Sequence, residues 1–208
     1  MRKIDTPVMK FGFLLSAALV IVVVWSMSSS YLNDFDDKGI DESRGQEAYR
    51  TYINTDLGFS ALLPVAFTEQ SDYFYYELGP GREIPGVKFN IPQIMATGTN
   101  LSSDSGISIE LLSRANCIPD YFLAHSGTST LISVGEYEYT GATSSNAGAG
   151  NFYEESIFTY KNSDLCYGVR YFIHSTQIDN YPEGAVMDFD RKKMVDVFNS
   201  VLQSIKFI

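Results

Sequence analysis

The sequence predicts an α+β fold: an N-terminal transmembrane helix, then an antiparallel sheet packed by a C-terminal helix. Three observations carry this. Residues 11–27 hold no charge, with Arg2, Lys3 and Lys10 before them and Asp34, Asp36 and Asp37 after them. The middle of the chain is a series of short segments bounded by Gly and Pro. The cleanest alternates Val87, Phe89 and Ile91 with Lys88 and Asn90, the period of a strand with one buried face. Only near the end do apolar residues recur at helical spacing, at Met194, Val197, Phe198, Val201, Leu202 and Ile205. Strands followed by a closing helix give the α+β order.

Residues 1–10 are the basic cytoplasmic segment and 11–27 the anchor. A spanning helix needs about 20 apolar residues, with roughly 17 as the lower end, so the run is just long enough. Val20 to Val24 show no polar face, and Trp25 lies where an interfacial aromatic belongs. The positive-inside bias keeps the N-terminus cytoplasmic and places the rest outside. The competing reading is a signal peptide. Ser26 and Ser28 are small enough for cleavage after Ser28, which would release a secreted domain. Residues 28–48 form an acidic tether. Asp34, Asp36 and Gly39 match the first, third and sixth positions of a calcium loop. Lys38 at the fifth and Gly45 at the twelfth remove a ligand and the closing carboxylate. The tether is a spacer.

Residues 49–208 form the extracytoplasmic domain. Beyond residue 30, tether included, taking Arg2, Lys3, Lys10 and Asp5 from the 15 basic and 25 acidic residues leaves 12 and 24, a net charge of −12. Such a surface repels phosphate backbones, which excludes a nucleic-acid binder. Cys117 and Cys166 both fall in the exported region, where a disulfide is the simplest account.

Within the domain, residues 52–64 read as two strands joined at Asn54, Thr55 and Asp56 and closed by Pro64. A third strand covers 73–77, where Tyr73 and Tyr75 alternate with Phe74 and Tyr76. Gly79, Pro80 and Gly81 break it. Strands at 87–91 and 106–112 flank a polar loop that carries the glycosylation pattern Asn100-Leu101-Ser102. Residues 121–125 read as a short helical or irregular piece. A strand covers 132–139, with Gly135 marking a bulge or turn. Residues 141–150, rich in Gly, Ser and Ala, read as a flexible loop. Residues 153–160 and 165–174 form a hairpin about Lys161–Asp164. Asp190 caps the terminal helix, and Lys206 to Ile208 make a last edge strand.

No catalytic signature emerges. There is no Gly-x-Ser-x-Gly elbow, no phosphate-binding glycine loop and no cluster of ligands for zinc around His125 or His174. No cofactor is expected. His174 precedes Asp179 and Glu183, so a His–carboxylate patch there is the enzymatic alternative; a hydrogen-bonded sheet-end histidine is the simpler account. Leu57, Gly58, Phe59 and Ser60 in an opening strand ending at Pro64, the hairpin carrying Cys166, and the closing run from Phe198 to Phe207 resemble PsbP-like exported domains of bacterial envelopes. That resemblance implies an antiparallel sheet covered by helices, and a role in assembling or stabilising a complex rather than in catalysis. Fold does not carry function. The expectation is therefore a non-catalytic envelope domain that binds the bilayer through residues 11–27 and a protein partner. Its mark would be an exposed aromatic patch on the sheet face away from the terminal helix. The alternative, a small-ligand or glycan-binding module, expects a pocket near 141–150.

Overall fold

Strand β1 (Tyr49–Asn54) turns back on β2 (Phe59–Pro64), and the C-terminal strand β10 (Lys206–Phe207) pairs with the other edge of β2. The last strand thus joins β1 and β2 in a three-stranded sheet. A computed structural model describes residues 48–114, 116–124 and 128–208. The anchor 11–27, the acidic tether up to residue 47 and His125 lie outside the described residues. The unit Glu47–Ile208 is one compact body.

The larger sheet has seven antiparallel strands in the order β3-β4-β5-β9-β8-β7-β6. Its members are β3 (Thr68–Tyr75), β4 (Ile84–Asn90), β5 (Gly106–Ser113), β6 (Thr130–Val134), β7 (Tyr137–Gly148), β8 (Asn151–Asn162) and β9 (Leu165–Thr176). A one-turn helix, α1 (Gln93–Ala96), follows β4, and α2 (Arg191–Ser204) precedes β10. Asp190 caps α2 by accepting from the Lys193 N–H at 2.9 Å, satisfying one of the helix's orphan donors.

Alternation sets the two faces of the large sheet. On β9, Tyr167, Val169, Tyr171 and Ile173 enter the main core with Ile107 and Ile109 of β5. The buried stripe of α2, Met194, Val197, Phe198, Val201 and Leu202, closes that core with Phe59 and Leu63 of β2. Each such side chain contributes roughly 1.5–3 kcal/mol of burial. On the opposite face the residues between them, Cys166, Gly168 and Arg170, meet the segment 117–124. Cys117 and Cys166 are joined by a disulfide. Phe122, fully buried, lies on Gly168, where a Cβ would fall 2.5 Å from its ring carbons. The missing side chain is the notch that receives the ring.

Two expectations are corrected. Residues 132–139 are not one strand: Gly135, at φ 61°, turns the chain between β6 and β7. Residues 141–150 are not a loop: β7 pairs with β8 without interruption from Thr140↔Thr159 to Gly148↔Asn151. The turn itself is Ala149 and Gly150, both at positive φ (51° and 77°), the requirement of a tight type I′ hairpin. The strand is crowded at its start, where a Cβ at Gly141 would meet Ile132 at 2.8 Å. Cross-strand packing overrides local propensity here. The third strand also starts earlier than expected, at Thr68.

Candidate functional site

Arg170 is the largest fully buried side chain of the domain, 1% exposed in the centre of β9. A lone charge there must be matched by opposite charge and hydrogen bonds. Glu110, 0% exposed on the neighbouring strand β5, supplies both. The pair is bidentate, with Nε donating to Oε1 at 2.7 Å and Nη2 to Oε2 at 2.8 Å, the planar fork geometry in which arginine binds carboxylate best. Nη2 also donates to the Phe122 carbonyl at 2.7 Å, and Nη1 to Glu155 Oε2 at 3.1 Å. Ser108 donates to Glu110 at 2.8 Å. Burial works against the Arg170 charge, and the Glu110 carboxylate more than offsets it, holding the guanidinium above its ordinary range.

Tyr75 closes over this group. Its ring lies 3.5 Å from the Arg170 guanidinium carbon, and its hydroxyl donates to Glu155 at 2.9 Å. Tyr75 is on edge strand β3 and Glu155 on β8, separated by β4, β5 and β9. At about 4.8 Å per strand, a flat sheet would hold these strands ~19 Å apart. The sheet therefore curls on itself, and the Arg170 group sits on its concave face. Gly86 permits the close approach of β4 to β5, since a Cβ there would fall 2.5 Å from the Ile109 carbonyl. A bulge aims the tyrosines: the β3–β4 register shifts between Gln70 and Tyr73, and one extra residue exchanges the faces of everything beyond it.

The concavity opens as a cleft of about 800 Å³. Tyr73 to Glu77 form one wall, and Ser144, Ser145 and Asn146 of β7 form the other. Phe74 (43% exposed) and Tyr76 (61% exposed) stand at the rim, their rings 6.0 Å apart. Phe172, Tyr153, Glu155 and Arg170 line it between these walls. Burial pushes the Glu155 carboxyl up; Arg170 and Tyr75 oppose the shift, while Glu110 and Glu77 add to it. Burial likewise raises the phenols of Tyr73 and Tyr75.

Lys88 and Asp104 also line the cleft. Lys88 donates to the Asp104 carbonyl at 2.6 Å, and its ammonium lies 4.9 Å from the Phe172 ring centroid. Burial lowers the Lys88 pKa, with Asp104 working the other way. His174 pairs with Asp104, not with Asp179 or Glu183: Nδ1 lies 2.9 Å from its carboxylate. Its Nε2 faces the Asn151 amide oxygen at 3.2 Å, and the ring stacks on Tyr153 at 4.6 Å. Burial raises the Asp104 carboxyl, but hydrogen bonds from Ser102 and His174 hold it below its ordinary value. His174 thus closes a polar chain with Asp104, Asn151 and Tyr153. Among the described residues no group of three or more His, Cys, Asp or Glu is arranged to hold a metal.

Asn100 is not presented as a glycan acceptor. It is 8% exposed, donates to the Thr176 carbonyl at 3.0 Å and accepts from Phe189 N–H at 3.0 Å. It ties the loop after α1 to the end of β9. Sequence reasoning missed Arg170, Glu110 and Glu155. The signal was there for the first two: each is a lone charge in the middle of a strand whose other residues are apolar or small, and such charges are rarely buried unless paired.

No protein-family model matches the chain, and no curated protein matches it. Among solved structures it is similar to the solution structure of cyanobacterial PsbP (CyanoP) from Synechocystis sp. PCC 6803, at 13% identity and a TM-score of 0.45, over 82% of this chain and 99% of that one. It is also similar to a crystal structure from Bacteroides thetaiotaomicron VPI-5482, at 11% identity and a TM-score of 0.46, over 78% of this chain and 49% of that one. The chain thus spans about half the length of the second protein. No residue role transfers at such identities.

Proposed function

We propose that the chain is a membrane-tethered, extracytoplasmic and non-catalytic domain that binds a partner protein of the cell envelope through its cleft. The tether rests on the uncharged run 11–27 and its flanking charges. The observation that carries the binding reading is the exposed pair Phe74 and Tyr76 at the rim of an 800 Å³ cleft. Exposed aromatics beside a concave surface are the common anchors of protein interfaces. The charges beneath them satisfy one another: Arg170 is held by Glu110, Glu155, Phe122 and Tyr75. Such a group braces a binding surface.

The test is affinity capture of the full-length protein from gently solubilised native membranes, for the natural chain and for Phe74→Ala/Tyr76→Ala. The reading expects a stoichiometric partner that is lost with the rim aromatics. A solitary protein, or a partner retained by the variant, overturns it. A second reading, glycan binding, draws on Ser144, Ser145 and Asn146 facing the aromatic wall. A glycan array separates it from the first.

A further inference from the structure

The cleft has a definite electrical character. Glu77, Asp104 and Glu155 line it with Glu110 directly beneath, and these outnumber its cations, Lys88 and Arg170. Both cations are already engaged. Arg170 donates to Glu110, Glu155 and the Phe122 carbonyl, and Lys88 donates to the Asp104 carbonyl. They also show what the aromatic walls accept: Arg170 lies on Tyr75 and Lys88 over Phe172. Among the described residues, no cation of the chain lies over the rim rings of Phe74 and Tyr76. An aromatic ring attracts a cation through its quadrupole, more strongly in a desolvated recess.

Resting on the partner-binding reading, we propose that the cleft receives a lysine or arginine side chain from a basic, extended segment of a partner protein. The cation would enter past the rim aromatics Phe74 and Tyr76 to reach the carboxylates of Glu77 and Glu155. Glu77 is exposed and enters no ion pair among the described residues, so an entering cation would meet an unpaired carboxylate at the cleft. The 18 acidic and 10 basic residues of 49–208, a net charge of −8, add long-range attraction for a basic segment. An acidic segment would meet repulsion from both the cleft and the surrounding surface.

The experiment uses the full-length chain in detergent and two fluorescent decapeptides, one alternating Gly with Lys or Arg, the other carrying Glu at the same positions. Anisotropy at about 0.15 M salt reads the affinity, a concentration that screens interactions between exposed charges beyond ~8 Å. The proposal expects the basic peptide to bind and the acidic one not to bind. Glu77→Gln and Tyr76→Ala should each weaken binding about two- to fivefold. Asp56→Asn, which removes a charge from the exposed β1–β2 turn, should change it less than twofold. Glu77 and Tyr76 are both exposed and stand outside the Arg170 group, so these variants keep the fold. Equal loss with Asp56→Asn would mean attraction to the acidic surface at large and overturn the proposal; so would tight binding of the acidic peptide, or no binding of the basic one. If neither peptide binds while membrane capture still depends on Phe74 and Tyr76, only this inference fails. If capture fails as well, the partner-binding reading falls with it.

Discussion

Replacing Arg170 by Met tests the central structural claim, that a buried carboxylate needs this guanidinium. The substitution keeps an unbranched apolar side chain of similar length and removes the charge. Glu110, 0% exposed, would keep only the Ser108 hydroxyl at 2.8 Å. Breaking a buried ion pair from one side costs roughly 3–5 kcal/mol, because the remaining charge stays dehydrated and uncompensated. For a domain of this size each kcal/mol moves the melting point by about 2–4 °C, so a fall of roughly 6–20 °C is expected. Urea unfolding of the full-length protein followed by far-UV circular dichroism gives the free energy.

The diagnostic comparison is Arg170→Met/Glu110→Leu. Exchanging a buried pair for apolar side chains of similar volume is often neutral or stabilising by about 1–4 kcal/mol. Glu155 and the Phe122 carbonyl still lose a donor in the double variant, so recovery is incomplete. It should still regain about 2 kcal/mol over the single change. A single variant less than about 1 kcal/mol below the natural protein, or a double variant no better than the single, would refute the reasoning. Either result would mean that Glu110 is not a buried charge held by Arg170.

Three further outcomes follow from the same geometry. Gly168→Ala places a methyl 2.5 Å from the Phe122 ring and should lose roughly 1–3 kcal/mol by overpacking; an unchanged urea midpoint would show that Phe122 does not rest there. Cys117 and Cys166 are 49 residues apart, so their bond is worth at most ~4 kcal/mol in the chain-entropy model. The unreduced protein should run faster on a non-reducing gel and resist alkylation, and full labelling of both thiols would contradict the pairing. Burial holds the Glu155 carboxyl above its ordinary value, so its proton stabilises the fold below about pH 4.5, and that contribution is lost as pH rises through the folded value. The stability of the natural chain relative to Glu155→Gln should therefore decline on going from acid to neutral pH; parallel curves would refute the shift.

Much of the fold is legible in the sequence because its signals are local. Val87, Phe89 and Ile91 alternate without interruption and form β4, and the apolar spacing from Met194 to Leu202, with Asp190 ahead, sets α2. The hairpin of β8 and β9 follows from the turn at Lys161–Asp164 and the apolar residues on either side. Residues 141–148 are illegible for the opposite reason. Apart from Thr143, the Gly, Ala, Ser and Asn of this stretch do not favour a strand, and it is pairing with β8, and with β6 at Gly141, that makes one of them. Local composition cannot report a neighbour that arrives from elsewhere in the chain.

The candidate site was hidden by a subtler form of the same difficulty. Arg170, Glu110, Glu155 and Tyr75 come from β9, β5, β8 and β3, and their meeting depends on how far the sheet curls, a property of the assembled strands. The decisive local feature is the bulge between Gln70 and Tyr73, which leaves no mark in the residue pattern. Regular pairing continued from Gln70↔Lys88 would send Asp72 and Phe74 to the concave face. The extra residue sends Tyr73 and Tyr75 there instead, and Tyr75 reaches both Arg170 and Glu155. The same displacement leaves Phe74 and Tyr76 exposed at the rim. One inserted residue in an edge strand thus places the tyrosine that braces the buried charges and the two aromatics offered to a partner.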